Sequence, residues 1–91
     1  MPITILLPSV LAQQAEGHRT LDASGATVGE AITDVVARFP ALGPRLRDEK
    51  GDLYPFITLY LNDEDVRFVG GFDAAIREGD ELSVVPAVAG G

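Results

Sequence analysis

The chain has 91 residues, which is one domain's worth, and 46% of them are hydrophobic, so a modest core is available and wholesale disorder is excluded. There is no cysteine, which removes disulfides, thiolate catalysis and cysteine-ligated metals together. The formal net charge is −7, from 14 acidic and 7 basic residues; a phosphate backbone is repelled and no Lys/Arg stripe opposes that, so nucleic acid is not an expected partner, while either docking on a basic protein surface or plain solubility accounts for the acidity.

The N-terminus, MPITILLP, has no basic region ahead of its apolar stretch and does not read as a signal peptide. No apolar run is long enough to span a bilayer, so no membrane partner is expected and a cytoplasmic location follows by elimination. Ile3, Ile5 and Leu7 alternate with Thr4 and Leu6, which predicts a strand that Pro8 stops. Residues 8–17 are weakly patterned and read as a turn or loop. Residues 18–23 read as a second strand with Leu21 pointing inward, giving a hairpin with a long connection. Thr27 with Glu30 three residues on matches a capping box. Val28, Ile32, Val35, Val36 and Phe39 then share one helical face up to Pro40, and the expectation is that this face is buried against a sheet.

Residues 41–55 read as loop with a short helical turn at 42–46. Residues 56–61 (FITLYL) are the strongest strand, 62–65 (NDED) a turn, and 66–69 a further short strand. Phe72, Ala75 and Ile76 suggest one packed turn, residues 78–80 a tight turn, and residues 81–85 (ELSVV) a last strand stopped by Pro86. The economical way to bury these faces is α+β: a mixed sheet packed on one main helix, with the first and last strands as its central pair. That arrangement is a β-grasp, or ubiquitin-like, domain over residues 1–86.

Residues 87–91 (AVAGG) contain nothing to anchor them and read as a flexible tail. Gly90-Gly91 makes a thin arm with an unhindered carboxylate, able to thread into a narrow site on another protein. A carboxylate acylates poorly, so ATP would first convert it to an acyl-adenylate, which sulfide, or a persulfide followed by a thiol that cleaves the resulting acyl disulfide, would turn into a thiocarboxylate. A frayed terminus is the bland alternative, and Gly-Gly outweighs it only at the end of the last strand of a β-grasp core.

Residues 62–71 (NDEDVRFVGG), 79–82 (GDEL) and 86–91 (PAVAGG) resemble the small sulfur-carrier proteins of the ThiS and MoaD type, and the likeness runs along essentially the whole chain. The NDEDVRF segment and the PAVAGG ending look most like the carrier of actinobacterial, thiocarboxylate-dependent cysteine biosynthesis. The resemblance implies a carrier and not an enzyme, with no catalytic side chain and no bound cofactor. Gly91 would carry the sulfur, with AMP or a thiocarboxylate as transient modifications, and Gly90, Ala89 and Val88 would let the tail enter. It implies as partners an ATP-dependent adenylyltransferase/sulfurtransferase that uses ATP and magnesium, a PLP-dependent cysteine synthase and a zinc metallopeptidase. The alternatives are a small subunit of molybdopterin synthase, whose relatives usually show a second proline where this chain has Ala87, and a ubiquitin-like conjugation tag joined to lysines.

Other residues carry less. His18, the only histidine, has no partner at metal-ligand spacing. Gly70-Gly71 lacks the Lys or Ser/Thr of a phosphate loop and fits chain reversals around Phe72. Asp63, Glu64 and Asp65 lack the spacing of a calcium loop and either meet a basic partner or are solvated. Strand parity sends Leu6 and Val85 away from the helix, where with Thr58 and Tyr60 they would form an apolar patch on the open sheet. Leu6, Tyr60, Val85, Asp63, Glu64 and Asp65 are therefore the candidate docking surface.

Overall fold

The structure is a computed structural model that describes residues 3–54 and 57–86. Five strands form one sheet in the order β2-β1-β5-β3-β4. β1 (Ile3–Leu6) pairs antiparallel with β2 (Thr20–Ala23) and parallel with β5 (Glu81–Pro86). On its other side β5 pairs antiparallel with β3 (Ile57–Leu61), which turns into the two-residue β4 (Glu64–Asp65). The last strand thus sits at the centre, beside the first, as the β-grasp expectation requires.

The main helix, α2 (Val28–Arg38), begins where the sequence says. The Thr27 hydroxyl accepts from the Glu30 N–H at 3.2 Å, and the Glu30 carboxylate accepts from the Ala26 N–H at 3.0 Å, one residue before the usual capping-box partner. Val28, Ala31, Ile32 and Val35 are buried, and full burial of such an aliphatic side chain stabilises by roughly 1.5–3 kcal/mol. Val36 and Phe39 are only half-buried and pack at the margin of the core, which corrects the expectation that all five stripe residues are largely buried. Near the end of α2, Arg38 donates to the Asp22 carbonyl and pairs with Asp34 at 3.1 Å, while Asp34 accepts from the Ser24 N–H at 3.0 Å. These contacts tie the helix to the edge strand β2 and occupy backbone groups that would otherwise be open to another strand.

Three further expectations are corrected. Residues 8–17 are not loop: α1 (Ser9–Ala12) and a 3-10 turn (Gln13–Ala15) bury Leu11, Ala12 and Ala15. Three small or apolar residues inside one short compact turn leave no periodicity to read. Residues 66–69 are not a strand: pairing ends at Asp65, whose side chain accepts from the Arg67 N–H at 2.9 Å and starts a 3-10 turn over Val66–Phe68. β5 takes in Pro86, one residue more than expected, opposite Ile57. Ile57 donates its N–H to Tyr54 O, away from β5, so the Ile57–Pro86 pair exchanges no ladder bond and the missing proline donor costs none.

The expected helical turn at 42–46 is present as a 3-10 turn (Pro40–Leu42) running into α3 (Gly43–Leu46), with Leu42 and Leu46 buried. Of the turn around Phe72, Ala74 and Ile76 are buried, Phe72 is half-buried and Ala75 is exposed. This segment bonds to the start of α2 through Val28 N–H to Ala74 O at 3.0 Å and Ile76 N–H to Ala26 O at 3.1 Å. Gly70 permits the reversal before it: its φ is +124°, and a Cβ there would lie 3.2 Å from the Ala74 Cα.

Candidate functional site

Strand parity divides the sheet. Ile3, Ile5, Ile57, Leu59, Leu82 and Val84 are buried on the helix side. Thr4, Leu6, Thr58, Tyr60, Ser83 and Val85 alternate with them and lie on the other face, half-buried or exposed. The register aligns Thr20, Leu6, Ser83, Tyr60 and Asp65 in one row across all five strands, and puts Val85 directly opposite Thr58. Leu6, Tyr60 and Val85 therefore share a surface, and Val85, 43% exposed, stands one residue before the end of β5.

The three consecutive acids divide. Asp63 is in the turn between β3 and β4 and Glu64 starts β4; both are exposed. Asp65 closes the row beside Tyr60 and has a partner of its own. The Arg67 guanidinium forks onto it, with Nη2 at 2.6 Å from Oδ2 and Nε at 3.1 Å from both carboxylate oxygens. The side-chain hydrogen bonds from Arg67, followed by its backbone N–H, hold the Asp65 carboxyl below the usual aspartate range. The turn itself is clipped to β5: Asn62, at φ 58°, donates its N–H to Glu81 O at 2.7 Å, and its side-chain oxygen accepts from the Glu81 N–H at 3.1 Å.

The tail residues Val88, Ala89, Gly90 and Gly91 lie outside the described residues, as does Phe56 of the strongest predicted strand. Among the described residues no group of three or more His, Cys, Asp or Glu side chains is placed to hold a metal ion. His18 is exposed, with its ring 6.3 Å from that of Phe39. No helix among the described residues is long and apolar enough to cross a membrane.

Sequence reasoning missed one neighbour of this face. Phe68 is 83% exposed and lies under the Arg67 guanidinium, 6.0 Å from it to the ring centroid. A strand over 66–69 would have put Phe68 on the same side as the buried Val66. The 3-10 turn rotates it away, and no local signal in the sequence distinguishes the two.

The model of the ThiS family matches residues 5–91. The sulfur carrier protein CysO of Mycobacterium tuberculosis is 42% identical over 93 residues, covering 100% of both chains. The chain in the crystal structure of the Amycolatopsis orientalis BexX/CysO complex superposes with a TM-score of 0.90 at 45% identity, over 98% of this chain and 99% of that one. Small archaeal modifier protein 1 of Haloferax volcanii is 37% identical over 81 residues, covering 86% of this chain and 88% of its own. With its fold and almost its whole length in common with such proteins, this chain belongs to the ThiS family and is a β-grasp sulfur-carrier protein of the ThiS and MoaD type, not an enzyme.

Proposed function

We propose that the carboxylate of Gly91 is the group that carries the sulfur, and that it supplies cysteine biosynthesis. A partner enzyme holding ATP and magnesium joins the carboxylate to the α-phosphate, releasing pyrophosphate. Sulfide then attacks the acyl carbon, the C–S bond forms as the C–O bond to AMP breaks, and a thiocarboxylate remains. The partner supplies the charge stabilisation for both steps, so this chain needs no catalytic side chain. The cysteine route rests on the 42% identity to CysO. In it a PLP-dependent synthase takes up the sulfur and a zinc metallopeptidase releases the product. A partner that consumes ATP puts the reaction in the cytoplasm.

The observation that carries this reading is the position of β5. It runs in the middle of the sheet to Pro86, the last described residue, five residues before Gly91. Five residues span at most about 18 Å even when fully extended, so the partner must bring its active site that close to the domain and dock on it. Val85 and Thr58 flank the point of departure, with Leu6 and Tyr60 beside them, which supports the open face as the docking surface. The acidic side chains around it, Asp63 and Glu64 among them, favour a basic partner and should make association salt-dependent.

The test is intact-mass spectrometry after incubation with the adenylating enzyme, ATP and a sulfur donor. Exchange of one terminal oxygen for sulfur, localised to Gly91 and absent without ATP, is the expected result; loading of the chain that lacks Gly91 would overturn the reading. The likeness to small archaeal modifier protein 1 favours a second use of the same terminus, as a conjugation tag. A stable isopeptide between Gly91 and a lysine, recovered from cells, would establish that use.

A further inference from the structure

We propose that Phe68 is a second anchor for the adenylating enzyme, which receives it in an apolar pocket rimmed by basic side chains. This rests on the docking face described above and extends it past the edge of the sheet. A continuous path of contacts carries the extension. Tyr60 and Asp65 are direct neighbours in the β3–β4 ladder. Asp65 takes the Arg67 fork, and the Arg67 guanidinium lies over the Phe68 ring. The side-chain hydrogen bonds to Asp65 raise the pKa of the Arg67 guanidinium. The open face thus runs from Leu6 across Ser83 and Tyr60 to Arg67 and Phe68.

Phe68 has no part in the fold that accounts for it. It is the most exposed large hydrophobic residue among those described, at 83%, and its neighbour Val69 is exposed in the same turn. Scattered single apolar residues are ordinary on surfaces, but an aromatic ring gains the most from burial at an interface, and here two exposed apolar residues are adjacent in one turn. The Asp65 hydrogen bonds fix the backbone of that turn at Arg67, so the ring is presented at little entropic cost.

Charge decides what the pocket must look like. Asp63, Glu64 and Asp73 are exposed in the same stretch of chain, and its one cation, Arg67, is spent on Asp65. A pocket rimmed by Lys or Arg complements this surface, whereas an acidic rim would be repelled. A second copy of this chain, at net charge −7, is disfavoured for the same reason.

The test compares the full chain with Phe68→Ala and Phe68→Trp, in calorimetric binding to the adenylating enzyme of the same organism and in loading kinetics. Phe68→Ala should weaken binding and raise KM for the carrier about tenfold or more, with kcat at saturation unchanged because the tail is untouched. Phe68→Trp should restore most of the affinity. Thermal unfolding should be the same for all three, since the ring is outside the core. Equal affinity of the wild type and Phe68→Ala would overturn the proposal, as would equal affinity joined to loss of a homodimer in sedimentation. If the wild type binds but is not loaded, the carrier chemistry at Gly91 falls, while the calorimetric comparison still decides on Phe68. If the wild type does not bind, both fall.

Discussion

On the helix side of the sheet, Ile5, Leu59, Leu82 and Val84 join Val28, Ile32 and Val35 in a core with almost no exposed surface. On the other side Leu6, Tyr60, Ser83 and Val85 come from the same strands, one residue out of step, and remain half-buried or exposed. The two faces share every backbone hydrogen bond of the sheet, so their difference lies in side chains alone. A substitution on one face should therefore be read mainly in stability, and on the other mainly in binding. A domain of this size has no surplus of core to lose, which sharpens the contrast.

The most severe break touches neither face. Deleting Gly91 should abolish loading while leaving unfolding by denaturant unchanged, because the new terminus is held one residue short of the activation centre. Adding a residue beyond Gly91 should block loading too, unless a peptidase trims it first. On the covered face, Ile32→Ala should cost roughly 2–5 kcal/mol, read from the midpoint of urea denaturation, because Ile32 is completely enclosed. The folded fraction that remains should bind the adenylating enzyme normally.

On the open face the pattern should invert. Val85→Asp should weaken the complex about tenfold or more by calorimetry. It should change stability by only about 1 kcal/mol, the scale of strand propensity at an exposed site. Normal binding by that folded variant would remove the open face from the mechanism and leave the sheet with one working side. At the helix start, Thr27→Ala should cost about 1 kcal/mol through loss of the cap to the Glu30 N–H, with no effect on binding.

The smallest effect concerns Asp65. Its folded pKa is depressed below the unfolded value, so the stabilisation from the Arg67 fork is present above the unfolded pKa and is lost as pH falls through the folded one. Carboxyl chemical shifts followed through an acid titration should show Asp65 protonating below the usual aspartate range, and Arg67→Ala should move it back up. An unshifted Asp65 in the wild type would mean that the fork is not populated in solution, and with it the fixed presentation of Phe68.

Much of this was legible in the residues. Thr27 and Glu30 announced the helix start, and the spacing from Val28 to Val35 gave its buried face. The alternation in 3–7 and 81–85 placed Leu6 and Val85 away from the core. These are local rules: a cap, a 3.6-residue period and a two-residue period are each written within a few consecutive positions. The half-burial of Val36 and Phe39 was not legible, because the period names a face but not how far the sheet extends beneath it.

By itself, then, the sequence determined the kinds of element, the side of the sheet each strand residue takes, and the Gly-Gly ending that marks the carrier family. Only the tertiary structure decided how those elements meet. The compact turn over Ser9–Ala15 buries Leu11 and Ala15 because β1 and β2 must be joined across the end of the core, a demand no residue within the turn expresses. β5 can include Pro86 because Ile57 opposite gives its N–H to Tyr54 O, so that pair makes no ladder bond for a proline to break. Phe68 faces solvent because β4 stops after two residues and Asp65 caps a turn in place of another ladder step. In each case the outcome depends on a partner distant in sequence, and the free energy of that pairing is fixed by the assembled sheet, where a window of neighbouring residues holds no record of it.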